Sequence, residues 1–101
     1  MIIYNVTVKP EPAIALEWLA WLREEHIPDV MGTGCFQKAV ILEMMDNNES
    51  EGPTFAIQYH AESREDVDRY LSDHATEMRA RGLSRWGDRF MAFRTIMKVI
   101  N

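Results

Sequence analysis

The order in which two hydrophobic periods succeed one another most constrains what this chain can fold into. Residues 2–8 alternate, with Ile2, Tyr4, Val6 and Val8 on one side and Ile3, Asn5 and Thr7 on the other. That two-residue period, carried by β-branched side chains, is the mark of a half-buried strand. Residues 13–27 switch to the helical period: Ala15, Leu16, Leu19, Ala20, Leu22 and Ile27 fill an apolar arc, with Glu17 and Glu24 outside it. Trp18 and Trp21 widen the arc beyond the stripe needed to cover one sheet. A second strand is expected over residues 35–45. A third, over 54–61, sets Phe55, Ile57 and Tyr59 against Ala56, Gln58 and His60. Residues 63–81 return to a helical stripe of Val67, Tyr70, Leu71, His74 and Met78, and 89–100 alternate once more. The order is β-α-β-β-α-β, two right-handed crossovers around a hairpin. It predicts an α+β, ferredoxin-like fold: a four-stranded antiparallel sheet with two helices on one face.

Local chemistry punctuates this order. Lys9-Pro10-Glu11-Pro12 stops the first strand, because proline has no donor for the ladder, and Pro12 suits the first turn of a helix. Pro28 has no N–H for the carbonyl of Glu24, so the first helix should end or kink there. Met31-Gly32-Thr33-Gly34 reads as a turn, residues 46–53 as a polar loop, and Ser63 as a cap whose hydroxyl accepts from the amide of Asp66. Gly82 is expected to terminate the second helix, with 83–88 a connector.

The 101 residues give room for one domain, 1–101. The formal net charge is −5, with eleven basic residues dispersed among sixteen acidic ones, which speaks against nucleic acid and against an anionic membrane surface. Arg79, Arg81, Arg85 and Arg89 crowd one stretch beside Glu77 and Asp88, and read as a solvated face. One cysteine, Cys35, permits neither an intrachain disulfide nor a cysteine zinc site. The apolar stretches are shorter than a membrane span and the N-terminus lacks the pattern of a signal peptide. The expected location is cytoplasmic.

Three segments, MIIYNVTV at the start, EEHIPDVMGTGCF after the first helix and RWGDRFMAFRT near the end, resemble a family of small bacterial proteins described only as a domain of unknown function. The resemblance extends over essentially the whole chain. It implies a ferredoxin-like subunit of the dimeric α/β-barrel superfamily and brings no activity or catalytic residue with it. More distantly, the layout is similar to the antibiotic-biosynthesis monooxygenases and the haem-degrading monooxygenases, a likeness of fold.

Two groups of side chains are candidates for function. Trp18, His26 and His74 fall on the apolar stripes of the helices; each is either a packed boundary residue or part of a ligand cavity between helices and sheet. On the sheet, the alternation is expected to turn Tyr4, Val6, Phe55, Ile57, Tyr59, Phe93 and Met97 toward the helices. Asn5, Thr7, Gln58, His60 and Arg94 then share the other face with Ile3, Ile41, Ala56, Ala92 and Ile96. Such a half-polar face suits either contact with a second sheet or the wall of a polar site. No HxH or HExxH spacing supports a metal site among His26, His60 and His74, and Gly32-Thr33-Gly34 is neither a dinucleotide fingerprint nor a P-loop. No metal and no cofactor is expected. The sequence therefore supports a homodimeric structural or small-molecule-binding module, with a cofactor-independent or haem-dependent monooxygenase-like enzyme as the alternative. It leaves open whether the chain is an enzyme at all.

Overall fold

A computed structural model describes residues 1–45 and 49–101. Strand β1 (Ile2–Pro10) passes through a 3₁₀ turn (Pro12–Ile14) into helix α1 (Ala15–Trp21), a π turn (Leu22–His26) and helix α2 (Ile27–Met31). Strand β2 (Lys38–Glu43), a 3₁₀ turn (Glu49–Glu51) and strand β3 (Phe55–Ala61) follow, then helices α3 (Arg64–Asp73) and α4 (Ala75–Trp86) and strand β4 (Phe90–Lys98). Of the polar loop expected over 46–53, residues 46–48 lie outside the described residues. The four strands lie in the order β2-β3-β1-β4, every neighbouring pair antiparallel. This is the ferredoxin-like α+β arrangement. β1 and β3 are the two inner strands, and β1 is buried on both faces, with Tyr4 and Val8 on one and Ile3 and Asn5 on the other.

The core fills the space between one sheet face and the helices. Tyr4, Val8, Phe55, Ile57 and Tyr59 rise from the sheet to meet Trp18, Leu22, Val30, Val67, Tyr70, Met78 and Trp86. Cys35 and Phe36 precede β2 and fold into the same core, so this strand is shorter than the expected 35–45. Ser63 Oγ accepts from the amide of Asp66 at 3.4 Å and caps α3 as anticipated.

The structure corrects the sequence reading in three places. The second helix is broken at His74, where φ is −129°. The buried residues explain the break: Tyr70 and Ala75 are both in the core but five positions apart, about 140° off one stripe at 100° per residue, and the bend takes up the excess. Gly82 does not end the helix. It is buried within α4, where a side chain would meet Phe90 and Trp21, and the helix runs on to Trp86, stopping at Gly87 with φ +62°. The third correction is the face of β4. Val6 pairs with Arg94, Tyr4 with Ile96 and Val8 with Ala92, so Arg94, Ala92 and Ile96 lie on the helix side, and Phe93 and Met97 on the open side. Both phases of β4 are apolar, so alternation alone could not choose between them. Ile41, opposite Ile57, likewise faces the helices.

Asn5, Gln58 and His60 lie on the open face as expected, Asn5 paired with Gln58 and His60 with Ile3. Asn5 Nδ2 donates to Thr7 Oγ1 at 3.0 Å along the strand. Around this polar centre, Val40, Leu42, Met91, Phe93 and Met97 are exposed.

Ile57 is 1% exposed and Leu16 is 85% exposed, which separates two substitutions that look equivalent in sequence. Ile57→Ala should lower unfolding free energy by about 2–5 kcal/mol in chemical denaturation. Leu16→Ala should change it by no more than about 0.5 kcal/mol.

Candidate functional site

The site begins with a proline. Pro28 has no N–H to give the carbonyl of Glu24, and its ring would crowd that oxygen in a regular helix. The chain responds by widening one turn: residues 22–26 adopt π geometry, with the Ile27 N–H donating to the Leu22 carbonyl, and the helix then resumes as α2. Pro28 therefore kinks the helix without ending it. Wide turns of this kind re-aim the residues they contain. Here Leu22 is sent into the core, and the His26 ring stacks on Trp21 at 4.7 Å.

His26 and Trp21 form one wall of a cavity of about 380 Å³ between the sheet and helices α1, α3 and α4. Trp18 lies deeper, stacked on Phe55 at 5.7 Å. Tyr4 and Tyr59, neighbours across the β1–β3 pair, make the floor with Tyr70 of α3, whose ring is 5.5 Å from that of Tyr4. Arg79 of α4, Asp88 and Arg94 of β4 complete the polar part of the lining. Among the described residues, the side chains of Arg79 and Arg94 have neither an ion pair nor a hydrogen bond.

The other arginines of that stretch are committed elsewhere. Arg81 pairs with Asp29 at 2.9 Å and Glu77 at 2.7 Å, Arg89 pairs with Glu11 at 3.2 Å, and Arg85 lies over the Trp86 ring. The stretch that read as one solvated face thus divides by partner, and Arg79 is the member turned to the cavity.

Burial pushes the His26 pKa below the ordinary histidine value; Asp29 opposes this, and Arg94 and Arg81 reinforce it. The ring is therefore neutral near pH 7, with one nitrogen able to donate and the other to accept. Its Nδ1 is buried and, among the described residues, has no hydrogen-bond partner. The other atom in that condition is Trp86 Nε1, whose ring meets the edge of Trp21 at 6.1 Å. Buried polar groups are rarely left unpaired, because each costs about 1–3 kcal/mol. Burial also raises the phenols of Tyr59 and Tyr70, so both stay protonated and can donate.

Of the expected trio, Trp18 and His26 meet in the cavity, but His74 does not line it. The bend between α3 and α4 leaves His74 half-buried beside Tyr70, with ring centroids 6.3 Å apart. Asn5, Gln58 and His60 lie across the sheet, whereas Arg94 belongs to the cavity. Asn5 and His74 are on opposite sides of the sheet. The sequence reading missed Tyr70, Arg79 and Arg94 as cavity residues. Tyr70 was visible only as part of a stripe, and Arg94 needed the β4 register. Among the described residues no group of three or more His, Cys, Asp and Glu side chains is placed to hold a metal, and no helix is long and apolar enough to cross a membrane.

A ferredoxin-like sheet with helices on one face and an aromatic cavity between them defines the class of α+β proteins to which this chain belongs. Within that class, it is a member of the family described as a domain of unknown function (DUF4286), which matches residues 1–100. Three solved structures show the same fold. A member of the ethyl tert-butyl ether D (EthD) family from Bacillus halodurans has a TM-score of 0.70 at 8% identity, covering 99% of this chain and 100% of its own. An antibiotic biosynthesis monooxygenase has a TM-score of 0.68 at 12% identity, with 100% of each chain covered. A dimeric ferredoxin-like protein of unknown function from Jannaschia has a TM-score of 0.60 at 15% identity, covering 98% of this chain and 100% of its own. No curated protein matches the chain.

The lowered His26 pKa has a signed consequence. The unfolded chain takes up the histidine proton near the ordinary value of 6.5, whereas the folded chain takes it up only at lower pH. Stability is therefore full above that value and is lost as pH falls through it toward the folded pKa. Thermal midpoints should drop between about pH 7.5 and 5.5, and His26→Phe should shrink the drop. His60, also lowered by desolvation, keeps part of the slope. Equal drops in both proteins would show that His26 does not carry this dependence.

Proposed function

We propose that this chain is a single-domain, homodimeric module of the cytoplasm that binds a small molecule in the cavity between its helices and sheet. The observation that carries this reading is the 380 Å³ space itself, walled by aromatic rings and bordered by His26, whose buried Nδ1 has no partner among the described residues. Its size lies within the range of about 300–1,000 Å³ usual for ligand pockets, and an apolar wall with a few convergent polar groups is their common composition.

The pairing of copies is supported by the open sheet face. Val40, Leu42, Met91, Phe93 and Met97 stand exposed there around Asn5, Gln58 and His60, and a second copy would remove them from water. A solved structure of the same fold is described as dimeric, in keeping with this reading. In a two-fold contact the polar centre would meet its own symmetry mate and fix the register.

The alternative is an enzyme of the monooxygenase kind. It is favoured by one feature: a neutral His26 facing the cavity is a group that can take a proton from a substrate hydroxyl.

A thermal-shift screen against metabolites, haem and flavins should find compounds that raise the midpoint by mass action, and Trp18→Ala should abolish the shift. Consumption of oxygen with any such compound, lost in His26→Phe, would favour the enzyme. Sedimentation at micromolar concentration should give twice the 11.8 kDa of one chain. Phe93→Glu, on the open face, should return the monomer; a wild-type monomer would remove the homodimer from the proposal.

A further inference from the structure

The polar groups of the cavity are unequal in their commitments, and the inequality speaks to the charge of what it holds. Arg79 and Arg94 both line it, and among the described residues neither has an acidic partner, whereas Arg64, Arg69, Arg81 and Arg89 each have one. Both side chains are exposed, yet in a chain with net charge −5 they border one cavity whose lining sets two guanidinium groups against a single carboxylate. Both act electrostatically on Tyr70, and Arg94 acts also on His26. They therefore flank the same stretch of aromatic wall. Asp88 is the one acidic side chain of the lining, and with His26 neutral the lining carries a net charge of +1. The Trp21–His26 stack at 4.7 Å presents a flat, rigid wall of the kind that receives another ring offset-stacked or edge-on.

Resting on the reading of this space as a ligand site, we infer that its ligand is a planar aromatic acid. Its ring lies against Trp21 and His26, and its single anionic group is held between Arg79 and Arg94. Guanidinium groups suit this role because their paired N–H donors match both oxygens of a carboxylate. Both arginines are exposed, so the contact is screened by salt.

The test uses three probes of one shape: 2-naphthoate, the uncharged 2-naphthamide and the cationic 2-naphthylmethylamine. Binding is read by NMR from the indole N–H signals of the three tryptophans, each assigned by replacement with phenylalanine. The naphthoate should shift the Trp18 and Trp21 signals and bind about tenfold or more tightly than the amide. The amine should bind most weakly. Raising salt from about 50 to 500 mM should narrow the gap between acid and amide. Arg94→Gln and Arg79→Gln should each reduce naphthoate affinity while leaving the amide unchanged. If amide or amine binds as well as the acid while moving the same two signals, the cavity is a ligand site and the inference of an anion is wrong. If none of the three moves those signals, the inferred ligand class is wrong, and the broader screen with Trp18→Ala decides separately whether the space is a site.

Discussion

Strand β1 is hydrogen-bonded along both edges, to β3 on one side and β4 on the other. Because directly paired residues share a sheet face, its alternation decides which side chains of both neighbours face the helices. Tyr4 brings Tyr59 and Ile96 with it, Val6 brings Ile57 and Arg94, and Val8 brings Phe55 and Ala92. The core, the floor of the cavity and the composition of the open face all follow from this one register. A slip by one residue would exchange the buried tyrosines for Asn5, Gln58 and Thr95. The aromatic contacts of Tyr4 with Phe36, Tyr59 and Tyr70 hold the register in place.

What could be read from the sequence follows the same logic. Strands with one decisively apolar phase were legible: β1 and β3 alternate large apolar against smaller or polar residues, and their faces are as expected. Strand β4 was not, because Phe90, Ala92 and Ile96 on one phase look no more apolar than Met91, Phe93 and Met97 on the other. The small Ala92 faces the helices and the large Phe93 faces out, the reverse of what side-chain size alone would choose. Only pairing with β1 resolves it, and Arg94 moved into the cavity as a result. The Ser63 cap was legible because it is local. The bend at His74 was not, since it serves a packing requirement set by the sheet. Gly82 and Gly87 lie five residues apart and look alike in sequence, yet one is buried mid-helix, where a Cβ would make ordinary contact with Phe90 and Trp21, and the other takes a positive φ at the helix end.

The cavity joins the two halves of the fold. Its floor comes from the central strands, its aromatic wall from the first helical segment, and its basic groups from α4 and β4. Trp18 and His26 were visible as members of a helical arc that was too broad for one sheet, and the excess width has its use here. Trp18 covers Phe55 while Trp21 and His26 stack on one another, so a single segment serves both the core and the cavity. His74 illustrates the opposite outcome: it sits on an apparent stripe, but the bend takes it away from the space the stripe was expected to line.

The π turn also bears on how this segment can change its length. Such a turn holds one residue more than a regular helix needs, and each residue corresponds to about 100° of rotation. The wide turn takes up that extra residue, so the helix after it keeps the phase of the helix before it: with one residue discounted, Val30 falls only about 20° from Trp18, and both are buried. Loss of a single residue between Leu22 and His26 could be absorbed by returning the turn to ordinary geometry. The helix after it would keep its phase and Val30 its place in the core, but the proline would again stand in a regular turn beneath a carbonyl it has no N–H to satisfy, and the histidine would lose the wide turn that sets it against Trp21. Loss and gain are therefore not equivalent here: the helix already carries its one tolerated insertion, and that insertion is what holds a histidine against the cavity.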